Sequence, residues 1–184
     1  CHISELKLYD LVVHDFFSAA ALRSVSPKQK AKVITSIAMF YDLENPHLFV
    51  GDIKSSLDER GIWILELSYL PTMLEMNSFD TICHEHLEYY GLAQIKWMTD
   101  RVGFKIIDVE LNRVNGGSFS VIVAKSNSAY PEATERVQSL LSAEEAQGLH
   151  TLEPLRQFNT RIFEHRDRLL EFLQRTTVEG RTVL

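Results

Sequence analysis

Short apolar runs alternate with amphipathic stretches along this chain, and their spacing predicts an α/β domain followed by helices. Leu8 to Val13 is apolar apart from Tyr9 and Asp10 and reads as a buried strand running into Asp15-Phe16-Phe17. Ser18 is placed to cap a short helix over Ala19 to Val25, which Pro27 closes. Ala31 to Phe40 is a second strand-like run. Asn45 and Pro46 then open a helix in which Phe49, Ile53 and Leu57 recur every four residues, with Gly61 past its end. Ile62 to Leu67 is strand-like again. Strands separated by helices at this spacing predict right-handed crossovers and a parallel sheet covered on both faces.

The middle of the chain is less regular. Pro71 to Ser78 reads as a short helix, and Leu92, Ile95, Met98 and Val102 mark an amphipathic one stopped by Gly103. Phe104 to Val109 and Ser118 to Ala124 are two further strands joined by an Asn- and Gly-rich turn. Beyond Pro131 the pattern is helical: Ser142 and Glu145 have capping-box spacing, and Leu155, Phe158, Ile162, Leu169 and Phe172 form a long stripe. The domain division this suggests is 1–128 for the α/β part and 129–184 for a helical link into a further unit.

Composition narrows the function. The net charge of -6 over 184 residues argues against a nucleic-acid partner, which calls for a clustered basic face. No apolar run approaches the ~20 residues of a membrane span. Two cysteines, Cys1 and Cys83, are too few for a disulfide framework and point to the cytoplasm. The start at Cys1 and the strand-like Thr182-Val183-Leu184 after Gly180 read as the ends of a fragment.

Chemistry concentrates between Phe79 and Tyr90, where two His, three carboxylates, a thiol and two phenols fall within twelve residues. A metal site is one reading, with Cys83 and His86 as ligands. The zinc-protease motif, however, needs a second His four residues after His84, and position 88 is Glu. Acid–base chemistry is another: His86 would take a proton from a carbon next to a ketone, with Glu85 and His84 in support. Adjacent side chains diverge, so the three converge only if the backbone turns here. The third reading is a polar loop whose side chains satisfy buried backbone groups. Asp15 and Phe16, after the first predicted strand, sit where open α/β sheets bind nucleotide-like ligands. There an Asp can accept from an adenine amino group while a Phe covers the ring; the alternative is a turn Asp before two core aromatics. Asn115-Gly116-Gly117-Ser118 reads as a close-approach turn able to touch substrate, and no Gly-x-Gly fingerprint occurs in the chain.

The order Asp15-Phe16-Phe17, Lys32-Val33-Ile34-Thr35 to Asp42, Gly61 to Glu66, Phe79-Asp80-Thr81-Ile82-Cys83-His84-Glu85-His86 and Gly116-Gly117-Ser118 resembles the sugar C-methyltransferases. The resemblance covers about residues 8 to 184. It implies an S-adenosylmethionine-dependent enzyme that methylates a carbon beside the ketone of a nucleotide-linked deoxysugar, through an enolate. It also implies a Rossmann-like class I methyltransferase sheet of order 3-2-1-4-5-7-6. Here that sheet would be incomplete, with its first two strands and the cofactor glycine loop lying upstream. An N-terminal zinc domain and most of a C-terminal Rossmann-like domain would lie outside the chain too, so zinc is expected only there. By position His86 matches the family's base, Glu85 its supporting carboxylate, and Asp15 and Phe16 its adenine contacts. Cys83 stands where the family usually has Tyr, leaving Tyr89 or Tyr90 to take over that phenol's contact with the sugar. Ile37 to Asp42 replaces a string that usually carries an Asn pair and a His.

Overall fold

The computed structural model describes residues 11–182. Helix α1 (Ala19–Val25) starts where Ser18 Oγ accepts the Ala21 N–H at 3.0 Å, as the sequence predicts. Strand β1 (Ala31–Ile37) follows. Helix α2 (Pro46–Ser56) is capped by Asn45, whose Oδ1 accepts from Leu48 N at 3.1 Å, and it buries Phe49, Val50 and Ile53. It ends sooner than Gly61 implies, because β2 (Leu57–Ser68) begins at once. Gly61 lies inside β2, where a Cβ would stand 2.8 Å from the Ala31 carbonyl. Its missing side chain serves a close approach of β1, not a helix stop.

Helix α3 (Leu70–Met76), helix α4 (Leu92–Arg101) and strands β3 (Phe104–Asn112) and β4 (Ser118–Lys125) complete the α/β part. Two long helices follow, α5 (Thr134–Ala146) and α6 (Glu153–Val178). The sheet order is β1-β2-β4-β3. β1 runs parallel to β2, but β4 is antiparallel to both β2 and β3, so the expected all-parallel sheet holds only for the β1–β2 crossover. The β3–β4 hairpin folds back and inserts its second strand beside β2. This is an open mixed α/β sheet, and its order matches the 4-5-7-6 end of the class I methyltransferase sheet. The strand expected over Leu8 to Val13 lies partly outside the described residues; Leu11, Val12 and Val13 are not in a strand.

The core fills around β2, whose Trp63, Leu65 and Leu67 are buried. Trp63 donates its indole N–H to Ser36 Oγ at 3.0 Å, which satisfies the one polar atom of that side chain. Phe40 sits between Trp63, Phe49 and Tyr90 at ring separations of 6.0, 5.9 and 5.3 Å. The expected capping box at Ser142 is absent: Ser142 lies within the unbroken α5 and its Oγ accepts from Gln138 Nε2. The spacing of Ser142 and Glu145 also fits two neighbours on one helix face, and that is what it marks here. At the start of α6, Phe158 packs with Met73 and Leu74 of α3, while Leu169 and Phe172 farther along are exposed.

Candidate functional site

Beyond α3, one short turn at Phe79–Thr81 leads into the His-rich segment. The backbone then turns again, with His86 N donating to the Cys83 carbonyl at 3.3 Å. That turn sends the side chains apart. His86 is half-buried, and Cys83, His84 and Glu85 face solvent. His84 and Glu85 approach one another at 3.8 Å, but their side chains are 90% and 72% exposed, so the contact adds little.

His86 is held from three sides. Its Nδ1 lies 2.7 Å from the Thr81 carbonyl oxygen, which can only accept, so Nδ1 carries a hydrogen. In the neutral imidazole the lone pair is then on Nε2. The Tyr41 ring lies 4.2 Å from the imidazole and the Tyr89 ring 6.3 Å away. Tyr89 also donates its hydroxyl to the Thr81 carbonyl at 3.3 Å. The Tyr41 carbonyl accepts from Leu87 N and Glu88 N at 2.9 and 3.2 Å, which pins the segment to the turn after β1. Burial pushes the Tyr41 phenol above its ordinary range, with further push from Asp42 and Cys83. Burial does the same for Tyr89, followed by Cys83.

Tyr90 is buried and donates to Glu88 Oε2 at 2.6 Å. Its phenol is held far above the usual range by burial first, then by the bond to Glu88 and the charge of that carboxylate. Its hydroxyl is committed to the protein, whereas Tyr89 flanks His86. Gly117 ends the turn before β4, and Ser118 begins that strand at the carboxyl end of β2. Ser118 pairs with Ser68 across the ladder, and Ser68 lines one crevice with His86, Tyr89 and Tyr90. Gly117 packs against Thr72, and Ser118 Oγ donates to the Val114 carbonyl at 3.0 Å.

Two grooves lie nearby, the first sharing Glu88 and Tyr90 with this crevice and the second sharing Glu44 and Asn45 with the first. One, of about 690 Å³, runs between α2 and α4 past Glu44, His47, Glu88, Tyr90 and Trp97. The other, of about 450 Å³, is lined by Phe16, Phe17, Asp42, Glu44 and Phe49. Phe16 is 91% exposed at its edge, and Asp15 Oδ1 accepts from Phe16 N at 2.8 Å, while its second oxygen has no hydrogen-bond partner among the described residues. The structure thus brings the loop carrying Asp15 and Phe16 to the turn after β1. Among the described residues no group of three or more His, Cys, Asp or Glu side chains is placed to hold a metal ion. Nor is any described helix long and apolar enough to cross a membrane. The sequence pattern singles out His86 but not its partners Thr81 and Tyr41, which act largely through backbone carbonyls.

The methyltransferase-domain family matches residues 5–109, more than half of the chain. The chain belongs to that family. Residues 113–184 match the C-methyltransferase C-terminal domain. C-methyltransferase NovU of Streptomyces niveus is 28% identical over 153 residues, covering 83% of this chain and 36% of NovU. This methyltransferase-family chain therefore spans little more than a third of that relative's length. Among solved structures, magnesium protoporphyrin IX methyltransferase (ChlM) from Synechocystis PCC 6803 with bound SAH is 14% identical. It aligns over 53% of this chain and 46% of its own, with a TM-score of 0.42. An O-methyltransferase family 2 protein from Planctomyces limnophilus DSM 3776 is 16% identical over 54% of this chain and 32% of its own, also at 0.42.

Proposed function

We propose that this chain is the catalytic part of an S-adenosylmethionine-dependent C-methyltransferase acting on a carbon next to the ketone of a nucleotide-linked deoxysugar. The observation that carries this reading is the hold on His86. Thr81 fixes Nδ1 as the protonated nitrogen, and Nε2 makes no hydrogen bond among the described residues. A neutral imidazole fixed in that tautomer has its basic atom free for a C–H made acidic by a neighbouring carbonyl. His86 takes that proton, and the enolate left behind is the carbon nucleophile. S-adenosylmethionine, when bound, supplies the methyl group.

The exposed ring of Phe16 and the second carboxylate oxygen of Asp15 suit the face and the amino edge of an adenine, beside the groove that reaches Asp42. Tyr89 walls the His86 crevice, and Ser118 lies behind it as the ladder partner of Ser68, which lines it. Cys83, His84 and Glu85 form the outward rim, where an acceptor would meet them and where Glu85 and His84 would support the base. The match to a C-methyltransferase C-terminal domain supports carbon as the methylated atom. A small molecule as acceptor suits the groove of about 690 Å³ that shares Glu88 and Tyr90 with the crevice, the net charge of -6 argues against nucleic acid, and an exposed unpaired thiol at Cys83 suits a reducing cytoplasm.

Calorimetric binding of S-adenosylhomocysteine to the full-length protein, with His86→Ala beside it, tests the reading. Retained binding with loss of methyl transfer in the variant is the expected result. Turnover near the parent's level would remove His86 from the chemistry.

A further inference from the structure

Glu144 is a carboxylate in the interior, 4% exposed, on a helix well beyond the segment that carries His86. Burying such a group is costly unless donors surround it. Here they do. Oε1 accepts from the Tyr69 hydroxyl at 2.9 Å and from Leu92 N at 2.5 Å, and Oε2 accepts from Ala93 N at 3.0 Å. Leu92 and Ala93 open α4, so the carboxylate also sits on the positive end of that helix. Gly91 makes the approach feasible, because a Cβ there would stand 3.0 Å from both Glu144 oxygens.

The groups it gathers belong to the His86 neighbourhood. Tyr69 follows β2 directly, and it forms a parallel bridge with Tyr90, whose carbonyl accepts from Leu70 N at 2.9 Å. Tyr90 in turn donates to Glu88, and the N–H groups of Leu87 and Glu88 bond to the Tyr41 carbonyl. The run from His86 to Ala93 is therefore tied at both ends, upstream by Tyr41 and downstream by Glu144.

We propose that Glu144 is a positioning residue that reaches from α5 into the methyltransferase part and fixes the His86–Ala93 run against the carboxyl end of β2, so that His86 keeps its bond to Thr81. The proposal takes from the reading above only that this segment is the reactive one. Glutamine at 144 turns an amide N–H₂ toward an N–H or O–H donor, and so breaks at least one of the three bonds without a change of volume.

The test uses the full-length protein as parent, Glu144→Gln and Tyr69→Phe, with nitrogen-15 spectra of the histidine rings and amide exchange. In Glu144→Gln the expected result is a mixture of His86 tautomers in place of the single Nδ1–H form. Exchange at Leu92 or Ala93 should quicken on the order of tenfold or more. An unchanged His86 signature would overturn the proposal even if the variant melted earlier, since a purely structural role lowers the melting temperature without moving the imidazole. Unchanged exchange at both amides would overturn it as well. Should Glu144→Gln fail to fold, Tyr69→Phe, which removes a single donor, takes its place: a shifted His86 signature supports the positioning role and an unchanged one overturns it. The spectra do not depend on His86 being the base. An active His86→Ala with a disturbed His86 signal in Glu144→Gln would sink the proposed chemistry and leave the positioning role standing.

Discussion

The imidazole of His86 lies 4.2 Å from the ring of Tyr41, while the Tyr41 carbonyl takes the N–H groups of the next two residues, Leu87 and Glu88. One residue after β1 thus supports the His86 segment by its ring and by its backbone. The two contributions separate by substitution. Tyr41→Ala leaves the carbonyl in place and removes the ring, with an expected loss of about 1–2 kcal/mol for this half-buried aromatic. Tyr41→Phe keeps both and should stay near the parent. Urea unfolding of the pair checks this, and equal losses in the two variants would assign the effect to the hydroxyl.

Alkaline pH should expose the two buried phenols. Tyr69 and Tyr90 are both raised above their ordinary value, by burial first and then by Glu144 or Glu88. A phenol raised in the folded state stays protonated while its unfolded counterpart ionises. Its contribution is therefore complete below about pH 10 and is lost as pH rises above that. The decline reaches at most about 1.4 kcal/mol per pH unit for each phenol. Urea midpoints between pH 9 and 11 should fall less steeply in Tyr90→Phe than in the parent. Parallel declines would show that Tyr90 ionises normally.

Two glycines should respond in opposite directions to alanine. Gly117 has φ +124°, and a Cβ there would stand 2.2 Å from Thr72 Cγ2, so Gly117→Ala should cost about 2–4 kcal/mol. Gly51 lies inside α2 with nothing within 4 Å of an added Cβ, so Gly51→Ala should gain about 0.5–1 kcal/mol. Calorimetric melting of both decides it. A stable Gly117→Ala would mean that α3 can retreat from β4.

His84 and Glu85 face water, and their 3.8 Å contact is open to solvent. His84→Ala and Glu85→Gln should each move stability by less than about 0.5 kcal/mol. If methyl transfer falls while the urea midpoint holds, these residues meet the acceptor. If neither changes, the rim role assigned to them is lost.

Local chemistry makes part of the fold legible. Ser18, Asn45 and Pro46 announce α1 and α2 because capping involves residues three apart, which a linear reading can see. Gly61 looks like a helix stop, since nothing in the sequence shows the Ala31 carbonyl beside it. Strand direction is hidden for a similar reason: alternation in Ser118 to Ala124 looks alike in parallel and antiparallel ladders. At the site, the density of polar groups points to His86, but its hold comes from the carbonyls of Thr81 and Tyr41, which every residue possesses. Glu144 is invisible at that level, because an acid on a helix normally faces water.

That same glutamate bears on how the chain can be divided. Cutting between Lys125 and Thr134 would separate α5 from the β-sheet and take from Leu92 N, Ala93 N and the Tyr69 hydroxyl the charged acceptor they share, leaving water to replace it. At about 1.5–3 kcal/mol net for each hydrogen bond to a charged acceptor, the severed N-terminal piece would have good reason to recapture its lost helix. Two pieces made apart and mixed should therefore reassemble, and a peptide carrying α5 with Glu144 intact should be a better complement than one carrying glutamine there.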